Sequence, residues 1–234
     1  MHDYLKWDKI ELDNFSDANI EQKYDQGYVF TRLGNGHMDQ TRSLRIDLDK
    51  FELNSENRRI LKKTDEIKIR KESLPYSNYH WSIHKLGKEF YDKFQEGLFS
   101  ANKVKELFTN QEKSDFNVVF VYSIEGKDIG YCINLESDNI LHYSFPFYDR
   151  NSSPKYMGMG MMVRAIRYAN GNEKKYFYLG SAQRPSDKYK LQFEGLEWFD
   201  QNKWSQDLYK LKNILKSETD KMLNKKKNEI EGDY

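Results

Sequence analysis

The chain has 234 residues, of which 38% are hydrophobic and 15% aromatic, enough for one large or two small domains whose core is rich in aromatic side chains. The 38 Lys and Arg against 37 Asp and Glu give a formal net charge of +1, so overall charge does not indicate a nucleic-acid-binding protein and local charge has to be examined. A single cysteine excludes an internal disulfide and a CxxC zinc ribbon, while a charged N-terminus and the lack of an apolar run of about 20 residues predict a cytoplasmic protein with no membrane partner.

The first part of the chain predicts two strands. Residues 24–33 have strand composition, and residues 34–36, Gly-Asn-Gly, are a turn signal. Residues 44–48 alternate between apolar and polar side chains, as a strand does, and this segment is flanked or interrupted by the basic residues Arg42 and Arg45. We therefore expect a basic strand here.

A basic helix is predicted directly after this strand. Asn54 or Ser55 can cap the helix, and Ile60 and Leu61 supply its buried side. The other side either contacts RNA or is a solvated face. It carries four cations within two turns, namely Arg58, Arg59, Lys62 and Lys63.

This combination of a basic strand, an aromatic residue, a Ser-containing cap and an RRILKK helix resembles the arginyl-tRNA–protein transferase family, which includes bacterial leucyl-transferring enzymes. That family usually has cysteines before the strand, a ligand set in some members. Residues 33–43 contain no cysteine here, so no cluster or zinc is expected at this place.

Two further helices are predicted, over residues 79–94 and 100–112. His80 and His84 stand at i and i+4, a spacing compatible with a metal, but HWSIH lacks the glutamate of HExxH and has no evident third ligand. Cys132 lies in an apolar run and is expected to be a buried thiol. We therefore expect no bound metal.

Residues 116–147 predict a three-stranded meander, with strands over 118–124, 129–135 and 140–147. A polar loop leads to Gly158 and Gly160, then a helix over 161–169 and a strand over 176–179. Glycines at such a turn let the backbone approach a ligand, and the first N–H groups of the helix can bind a phosphate, an oxyanion or a carbonyl oxygen. The alternative is a tight connection that binds no ligand.

Residues 155–160 fit the pattern R/Q-x-x-G-x-G/A, with Lys155 at the first place, and resemble the acyl-CoA-binding loop of the GNAT acyltransferase superfamily. A meander followed by a glycine loop, a helix and a strand is the order of the GNAT core. The resemblance implies an α/β, GNAT-like acyltransferase fold, a mixed twisted sheet flanked by helices.

The segment after this strand also resembles the transferase family, whose closing region has YLG, a lysine-rich stretch with YK, a phenylalanine and a tryptophan. The comparable residues are Tyr178-Leu179-Gly180, Lys188-Tyr189-Lys190, Phe193 and Trp198. We predict an N-terminal lobe over 1–115, a GNAT-like C-terminal lobe over 116–204 and a helical, partly frayed tail over 205–234.

The resemblance implies an enzyme that moves an amino acid from charged tRNA to the N-terminal α-amine of a protein with an acidic first residue, marking that protein for degradation, without a cofactor. The alternatives are a CoA-dependent N-acyltransferase and a non-catalytic RNA-binding module. The candidate catalytic residues are Tyr178, Asp187, Gly158 and Gly160. The candidate tRNA- or substrate-binding residues are Arg42, Arg45, Arg58, Arg59, Lys62, Lys63, Lys155, Arg164, Lys188, Lys190 and Tyr143.

Several of these candidates have a plainer interpretation. Tyr143 and Tyr178 lie on adjacent strands and are by base rate more often packing residues than catalytic ones. Asp187 follows a Pro-Ser turn, where it either caps the turn or orients the incoming amine. His142 can face either side of its strand.

Overall fold

The computed structural model describes residues 5–94 and 99–217. The helices are α1 (Asp17–Asp25), α2 (Ser55–Lys63), α3 (Trp81–Asp92), α4 (Ala101–Thr109), α5 (Met157–Gly171) and α6 (208–217). The strands are β1 (Asp8–Glu11), β2 (Tyr28–Phe30), β3 (His37–Gln40), β4 (Ser43–Asp47), β5 (Lys68–Ser73), β6 (Val118–Ile124), β7 (Lys127–Glu136), β8 (Ile140–Tyr148), β9 (Tyr176–Ser181), β10 (Leu196–Phe199) and β11 (Trp204–Ser205).

The centre of the fold is an eight-stranded sheet with the order β11-β10-β4-β9-β8-β7-β6-β5. Its neighbouring strands are antiparallel except β8 and β9, which are parallel because α5 connects them by a crossover. A smaller antiparallel sheet has the order β1-β3-β2. The predicted mixed sheet flanked by helices is confirmed.

The predicted meander is present as β6, β7 and β8. Its last strand contains a β-bulge, because Ile133 and Asn134 on β7 pair with Phe145 and Tyr143 and leave Ser144 as an extra residue. The bulge reverses the alternation of β8, so that Leu141 and Tyr143 face α5 whereas Phe145 and Phe147 face the other core. Cys132, on β7, is fully buried, as expected.

Each face of the large sheet has its own hydrophobic core. One core lies under α2, α5 and α6 and includes Ile60, Met161, Ile166 and Leu211. The other lies under α1, α3 and α4 and is rich in aromatic side chains. Burying a large apolar side chain contributes about 1.5–3 kcal/mol, so these two layers fix the helices on the sheet.

Two features of the structure were not indicated by the local sequence pattern. β4 lies between β9 and β10, so strands from before and after residue 116 share one sheet. Residues 24–33 do not form one strand, because α1 continues to Asp25 and β2 begins only at Tyr28. Gly27, at φ +82°, makes the turn between them. No helix in the described ranges is both long and apolar enough to cross a bilayer.

Candidate functional site

A gap opens in the sheet where β8 and β9 separate. The two strands pair over three positions, ending at His142 opposite Tyr178. Beyond that point β8 continues to Tyr148 against β7, while β9 continues to Ser181 against β4. From residue 143 onwards, β8 therefore has no neighbouring strand on its β9 side, and this edge faces open space next to the start of α5.

The start of α5 presents free backbone donors. Tyr156 precedes the helix in a left-handed conformation, φ +73°, and its side chain does not cap the helix. The Met157 N–H bonds the Pro154 carbonyl at 3.2 Å, but the N–H groups of Gly158 and Met159 have no partner within the described residues. Two outward amides at a helix N-terminus stabilise negative charge, as an oxyanion or a polarised carbonyl requires.

The two predicted glycines have different roles, and they lie in the first turn of α5 rather than in a loop before it. A Cβ on Gly158 would sit 3.5 Å from the Tyr148 ring, an ordinary contact beside the free amides. A Cβ on Gly160 would sit 2.7 Å from the Thr64 hydroxyl, and the Gly160 N–H is already bonded to the Tyr156 carbonyl. Gly160 is therefore a helix-packing residue, and the expectation that it supplies a catalytic N–H is not supported by its position.

A cavity of about 670 Å³ occupies the space between β8, the start of α5 and the end of α3. Its size falls in the usual range for small-molecule sites, roughly 300–1,000 Å³. The lining residues are mostly aromatic side chains and methionines, with two cations. They are Phe90, Tyr91, Phe94, Tyr143, Ser144, Phe145, Pro146, Tyr148, Arg150, Ser153, Pro154, Lys155, Tyr156, Met157, Gly158, Met159, Met162 and Tyr189.

Three residues that line this cavity, Tyr143, Ser144 and Ser153, have a buried hydroxyl without a hydrogen-bond partner in the described part of the chain. A buried polar group left unpaired costs about 1–3 kcal/mol, which a ligand that bonds it would recover. Burial raises the pKa of Tyr143, and the nearby Tyr122 hydroxyl raises it further. Tyr143 is therefore a neutral phenol that can donate a hydrogen bond into the cavity.

The basic helix α2 lies beside the cavity mouth. Asn54 caps α2 by accepting a bond from the Asn57 N–H at 2.9 Å, and Ile60 is buried, both as predicted. The Arg59 guanidinium pairs with Glu56 and lies over the Tyr156 ring, 4.7 Å from its centroid. The cationic face of α2 thus continues through Tyr156 to the cavity. That face is exposed and is formed by Arg58, Arg59, Lys62 and Lys63.

Lys155 extends this surface to the rim of the cavity. It is exposed, and its ammonium group lies 5.3 Å from the centroid of the Tyr156 ring. Arg150, on the other side of the loop, lies 5.9 Å above the Phe94 ring. Exposed cations therefore flank the entrance on both sides.

The structure does not bring every predicted cation to this site. Arg42 and Arg45 are each only 6% exposed. Arg45 pairs with Glu197 at 2.9 Å and with Asp25 at 2.7 Å, and its guanidinium lies 3.9 Å over the Trp204 ring. Arg45 is therefore paired within the fold, and its position does not support a contact with a tRNA phosphate. Arg42 donates to the carbonyl oxygen of Ala182, also inside the fold.

Arg164 is also structural. Its guanidinium donates to the Ile67 carbonyl and the Thr64 hydroxyl, both at 2.9 Å. These bonds fasten α5 to the turn that follows α2. The expectation that Arg164 contacts substrate is therefore not supported by its position.

Tyr178 does not reach the cavity. It lies on the opposite face of the sheet, 1% exposed, with its ring 4.9 Å from Tyr24 and 5.9 Å from Trp204. His142 faces the same side, where its Nδ1 is 2.8 Å from the Tyr24 hydroxyl. Burial lowers the pKa of His142 to about 3, so the ring is neutral. Both side chains belong to the core, and the expected catalytic role of Tyr178 is not supported.

Asp187 caps the turn that follows β9. One of its carboxylate oxygens accepts bonds from the N–H groups of Gln183 and Arg184, each at 2.8 Å. Lys190 donates to the Ser181 carbonyl at 2.9 Å, whereas Lys188 is exposed. The capping interpretation of Asp187 is the one the structure supports.

Sequence analysis missed Tyr189, which lines the cavity and is 45% exposed. It also missed the aromatic wall from α3 and the unpartnered Ser144 and Ser153. Only Tyr189 stood in a recognised motif, between two of the selected lysines. The α3 residues meet the cavity through long-range packing, which no local pattern indicates.

The two histidines have separate contacts in the structure. His80 caps α3 by accepting from the Ser82 N–H at 3.4 Å, and the His84 ring stacks near Tyr79. Across residues 5–94 and 99–217, no three His, Cys, Asp or Glu side chains come together in a metal-binding group.

No protein-family model matches the sequence, and no curated protein matches it either. The fold is similar to L-PGS from Bacillus licheniformis, at 15% identity and a TM-score of 0.49 over 85% of this chain and 69% of that one. It is also similar to the C-terminal domain of a putative lysylphosphatidylglycerol synthetase from Agrobacterium fabrum, at 13% identity and a TM-score of 0.47, over 70% of this chain and 51% of that one. FemX has a similar fold at 10% identity and a TM-score of 0.43, over 75% of this chain and 63% of that one. These values are too low to indicate a substrate, so function has to be argued from the chain's own residues.

Proposed function

We propose that this protein transfers an aminoacyl group from charged tRNA to a primary amine, the N-terminal α-amine of a protein or peptide with an acidic first residue. The observation that carries the proposal is the continuity between the cationic face of α2 and the cavity at the start of α5, through the contact of Arg59 with Tyr156. An elongated anion would lie along the cationic face of α2, and a small reactive group attached to its end would occupy the cavity.

The cavity supplies what acyl transfer from an activated ester requires. An amine with a pKa of about 8 is partly unprotonated near neutrality and needs no covalent enzyme intermediate. Its nitrogen attacks the ester carbon, the oxyanion that forms is held by the Gly158 and Met159 amides, and collapse breaks the bond to the ribose oxygen. The amine loses a proton and the ribose hydroxyl gains one. The neutral Tyr143 hydroxyl is a further hydrogen-bond donor in this space.

The extent of the basic surface favours tRNA over a smaller donor. Phosphate contacts from Lys and Arg position a nucleic acid without reading its sequence. Arg59 joins α2 to the cavity mouth, while Lys62 and Lys63 lie farther along the helix and are exposed. A helix face of this length matches successive phosphates of an acceptor stem.

The acceptor's acidic first residue follows from the resemblance to the arginyl-tRNA–protein transferase family, and one feature of the site agrees with it. Arg150 lies at the rim of the cavity, exposed, on the side away from α2. A guanidinium can hold a carboxylate through two hydrogen bonds. It is the residue we assign to the acceptor's side chain.

CoA-dependent acyl transfer is the second candidate. A helix N-terminus with two free amides, next to Lys155, also suits a pyrophosphate. A third reading, an RNA-binding module without catalysis, uses α2 alone and leaves the cavity without a role.

The test supplies purified protein with a mixture of charged tRNAs, or with acetyl-CoA, and peptides that differ only in the first residue. Mass spectrometry of the peptides reports what was added and where. We expect an added amino acid on Asp- and Glu-initiated peptides with charged tRNA only. Acetylation without tRNA-dependent transfer supports the second candidate, and tRNA binding with no product in either arm supports the third.

A further inference from the structure

We propose that a second cavity, on the α1 side of the large sheet, binds an aliphatic polyamine, a flexible hydrocarbon chain that carries two or more ammonium groups. This inference goes beyond the proposed function and does not depend on it, because no residue lines both cavities. It follows from the charges that line the second cavity, from a buried carboxylate oxygen that has no partner, and from the apolar side chains beside them.

The second cavity has a volume of about 650 Å³ and lies between β1, the start of α1 and the turn that follows α4. Four carboxylates and no Lys, Arg or His are found among the described residues that line it, so we call it the acidic cavity. The lining residues are Glu11, Leu12, Phe15, Asp17, Ile20, Asn35, Gln111, Glu112, Ser114, Asp115, Phe116, Asn117 and Leu135. Within the described part of the chain, none of the four carboxylates is in an ion pair.

Asp115 is the partly buried carboxylate of the acidic cavity, whereas the other three are exposed. Its Oδ1 accepts a hydrogen bond from the Gly36 N–H at 3.0 Å, but its Oδ2 is buried and has no hydrogen-bond partner among the described residues. Burial raises the pKa of Asp115, because its charge is only partly compensated. A cation placed in the cavity would stabilise this carboxylate.

The protein's own cations do not fill this role. His37 and Lys103 act on Asp115 from outside the lining of the acidic cavity. His37 has its Nδ1 2.8 Å from the Gly34 carbonyl oxygen, and Lys103 pairs with Glu106 on α4. The positive charge that balances the acidic cavity therefore has to come from a ligand.

The carboxylates are spread around the acidic cavity. Glu11 ends β1, Asp17 begins α1, and Glu112 lies in the turn after α4. No three His, Cys, Asp or Glu side chains in the described ranges are close enough together to hold a metal ion. A divalent metal ion needs several oxygen ligands at about 2.0–2.6 Å, so this arrangement suits an extended cation with several separate charges better.

Apolar side chains also line the acidic cavity. Leu12, Ile20 and Phe116 are buried in the core under α1. Phe15 is 50% exposed, and its ring stacks on Phe30 with the centroids 6.5 Å apart. The methylene groups of a polyamine would cover the apolar residues, while an ammonium group can lie over the face of an exposed ring such as that of Phe15.

The test measures the binding of putrescine, spermidine and spermine to the RNA-free, full-length protein by isothermal titration calorimetry at low and high salt. Butylamine, which has one ammonium group, MgCl₂ and trilysine are titrated in the same way. We expect the affinity to rise by about tenfold or more from putrescine to spermine and to fall with added salt, because each further ammonium group can pair with a carboxylate. Butylamine and MgCl₂ should bind more weakly than spermidine.

Two double variants with the same change in net charge locate the site. Glu11→Gln with Glu112→Gln removes two exposed carboxylates from the acidic cavity, and Glu52→Gln with Glu66→Gln removes two exposed carboxylates elsewhere. We expect the first pair to weaken spermidine binding by about tenfold or more, and the second pair to leave the affinity near its original value.

Asp115→Asn is a third variant, which keeps an oxygen that can accept the Gly36 N–H bond. It should also weaken spermidine binding by about tenfold, and thermal unfolding shows whether it is folded. If it is not folded, the two double variants decide the question, because their substitutions are at exposed positions.

Three results would overturn this inference. They are the absence of polyamine binding, an equal loss of spermidine affinity in the two double variants, and displacement of spermidine by equimolar MgCl₂. Binding of trilysine without binding of spermidine would assign the acidic cavity to a basic peptide and would also overturn it. Each of these results leaves the proposed function standing, because the titrations contain neither tRNA nor an acceptor peptide.

Discussion

The guanidinium of Arg59 lies 4.7 Å from the centroid of the Tyr156 ring, which joins the basic helix α2 to the residue that precedes α5. Arg59 also pairs with Glu56 on its own helix, at 2.6 Å. This contact places a cationic helix face at the entrance of the cavity and leads to the first prediction.

Replacing Arg59 and Lys63 together by Ala should weaken tRNA binding and flatten its dependence on salt. Each lost phosphate contact should reduce the log–log salt slope by roughly 0.7 to 0.9. Binding is measured at several salt concentrations, and thermal unfolding checks the fold. The matched control is Lys105→Ala with Lys113→Ala, two exposed cations on the α4 side of the sheet. Equal salt slopes of tRNA binding in the two double variants would show that the cationic face of α2 is solvated and does not contact RNA.

Gly158 and Gly160 should respond in opposite ways to Ala. Gly158→Ala meets Tyr148 only at an ordinary contact distance, so the fold should keep its stability while transfer falls by about tenfold or more, because the new methyl group crowds the carbonyl site. Gly160→Ala forces α5 away from Thr64 and should cost about 1–3 kcal/mol. Denaturant unfolding and initial rates separate the two effects. Loss of stability without loss of rate in Gly158→Ala would contradict this assignment.

Tyr143 and Tyr178 form a second contrasting pair. Tyr143→Phe removes a buried hydroxyl that has no partner in the described structure, so the free energy of unfolding should stay the same or rise by up to about 1–3 kcal/mol. If the hydroxyl bonds the reacting ester, kcat should fall by about tenfold to 100-fold. Tyr178→Phe, on the other face of the sheet, should leave kcat unchanged in protein that folds. A fall in kcat for Tyr178→Phe, with none for Tyr143→Phe, would contradict this assignment and place the reaction on the Tyr178 face of the sheet.

Arg45 should behave as a structural residue. Arg45→Ala leaves the buried carboxylate of Glu197 with only the Gln206 amide at 3.1 Å and the Lys50 ammonium at 3.9 Å. Breaking a buried ion pair costs up to about 3–5 kcal/mol, and we expect a loss of stability towards the lower end of this range. Chemical denaturation measures this loss. Arg58→Ala, at an exposed position on α2, is the control and should leave the unfolding midpoint in place. A stable Arg45→Ala protein that binds tRNA poorly would mean that Arg45 contacts RNA after all.

Stability should fall as the pH drops from 7 to 5. The folded pKa of His142 is lowered to about 3 by burial, whereas the unfolded chain takes up this proton near pH 6.5. The stabilisation is therefore present above pH 6.5 and is lost as the pH falls towards 3. Linkage gives a loss of about 2 kcal/mol between pH 7 and pH 5. In His142→Gln, the free energy of unfolding should depend less on pH between 7 and 5. The same pH dependence in the variant and the unaltered protein would show that His142 takes up its proton equally well in the folded and unfolded states.

The sequence predicted those parts of the fold that depend on local pattern. The meander, the helix cap at Asn54 and the crossover from β8 to β9 follow from alternation, turn residues and chain order. The position of β4 between β9 and β10 depends on pairing over more than 100 residues, which one sequence does not display. The start of α5 was placed too late because glycines normally indicate a loop, whereas here the left-handed Tyr156 lets the helix begin before them.

The candidate site was predicted in part for the same reasons. Lys155, Gly158 and Tyr143 were selected from the glycine pattern and the strand, and they meet at the cavity. Arg45 and Arg164 were selected for their charge, but charge alone does not reveal a partner such as Glu197 or the Ile67 carbonyl. The bulge at Ser144 reverses the facing of β8, so strict alternation could not show which of its aromatic residues share a side with α5.

The donor is tested most directly by one reaction that contains the purified protein, an Asp-initiated peptide, charged tRNA and acetyl-CoA at equal concentration. Intact-mass analysis of the peptide then identifies the group that was added. We predict the mass of an amino-acid residue at the N-terminus, and loss of this product when the tRNA is removed by ribonuclease. An acetylated peptide, formed equally well after ribonuclease treatment, would contradict aminoacyl transfer from tRNA.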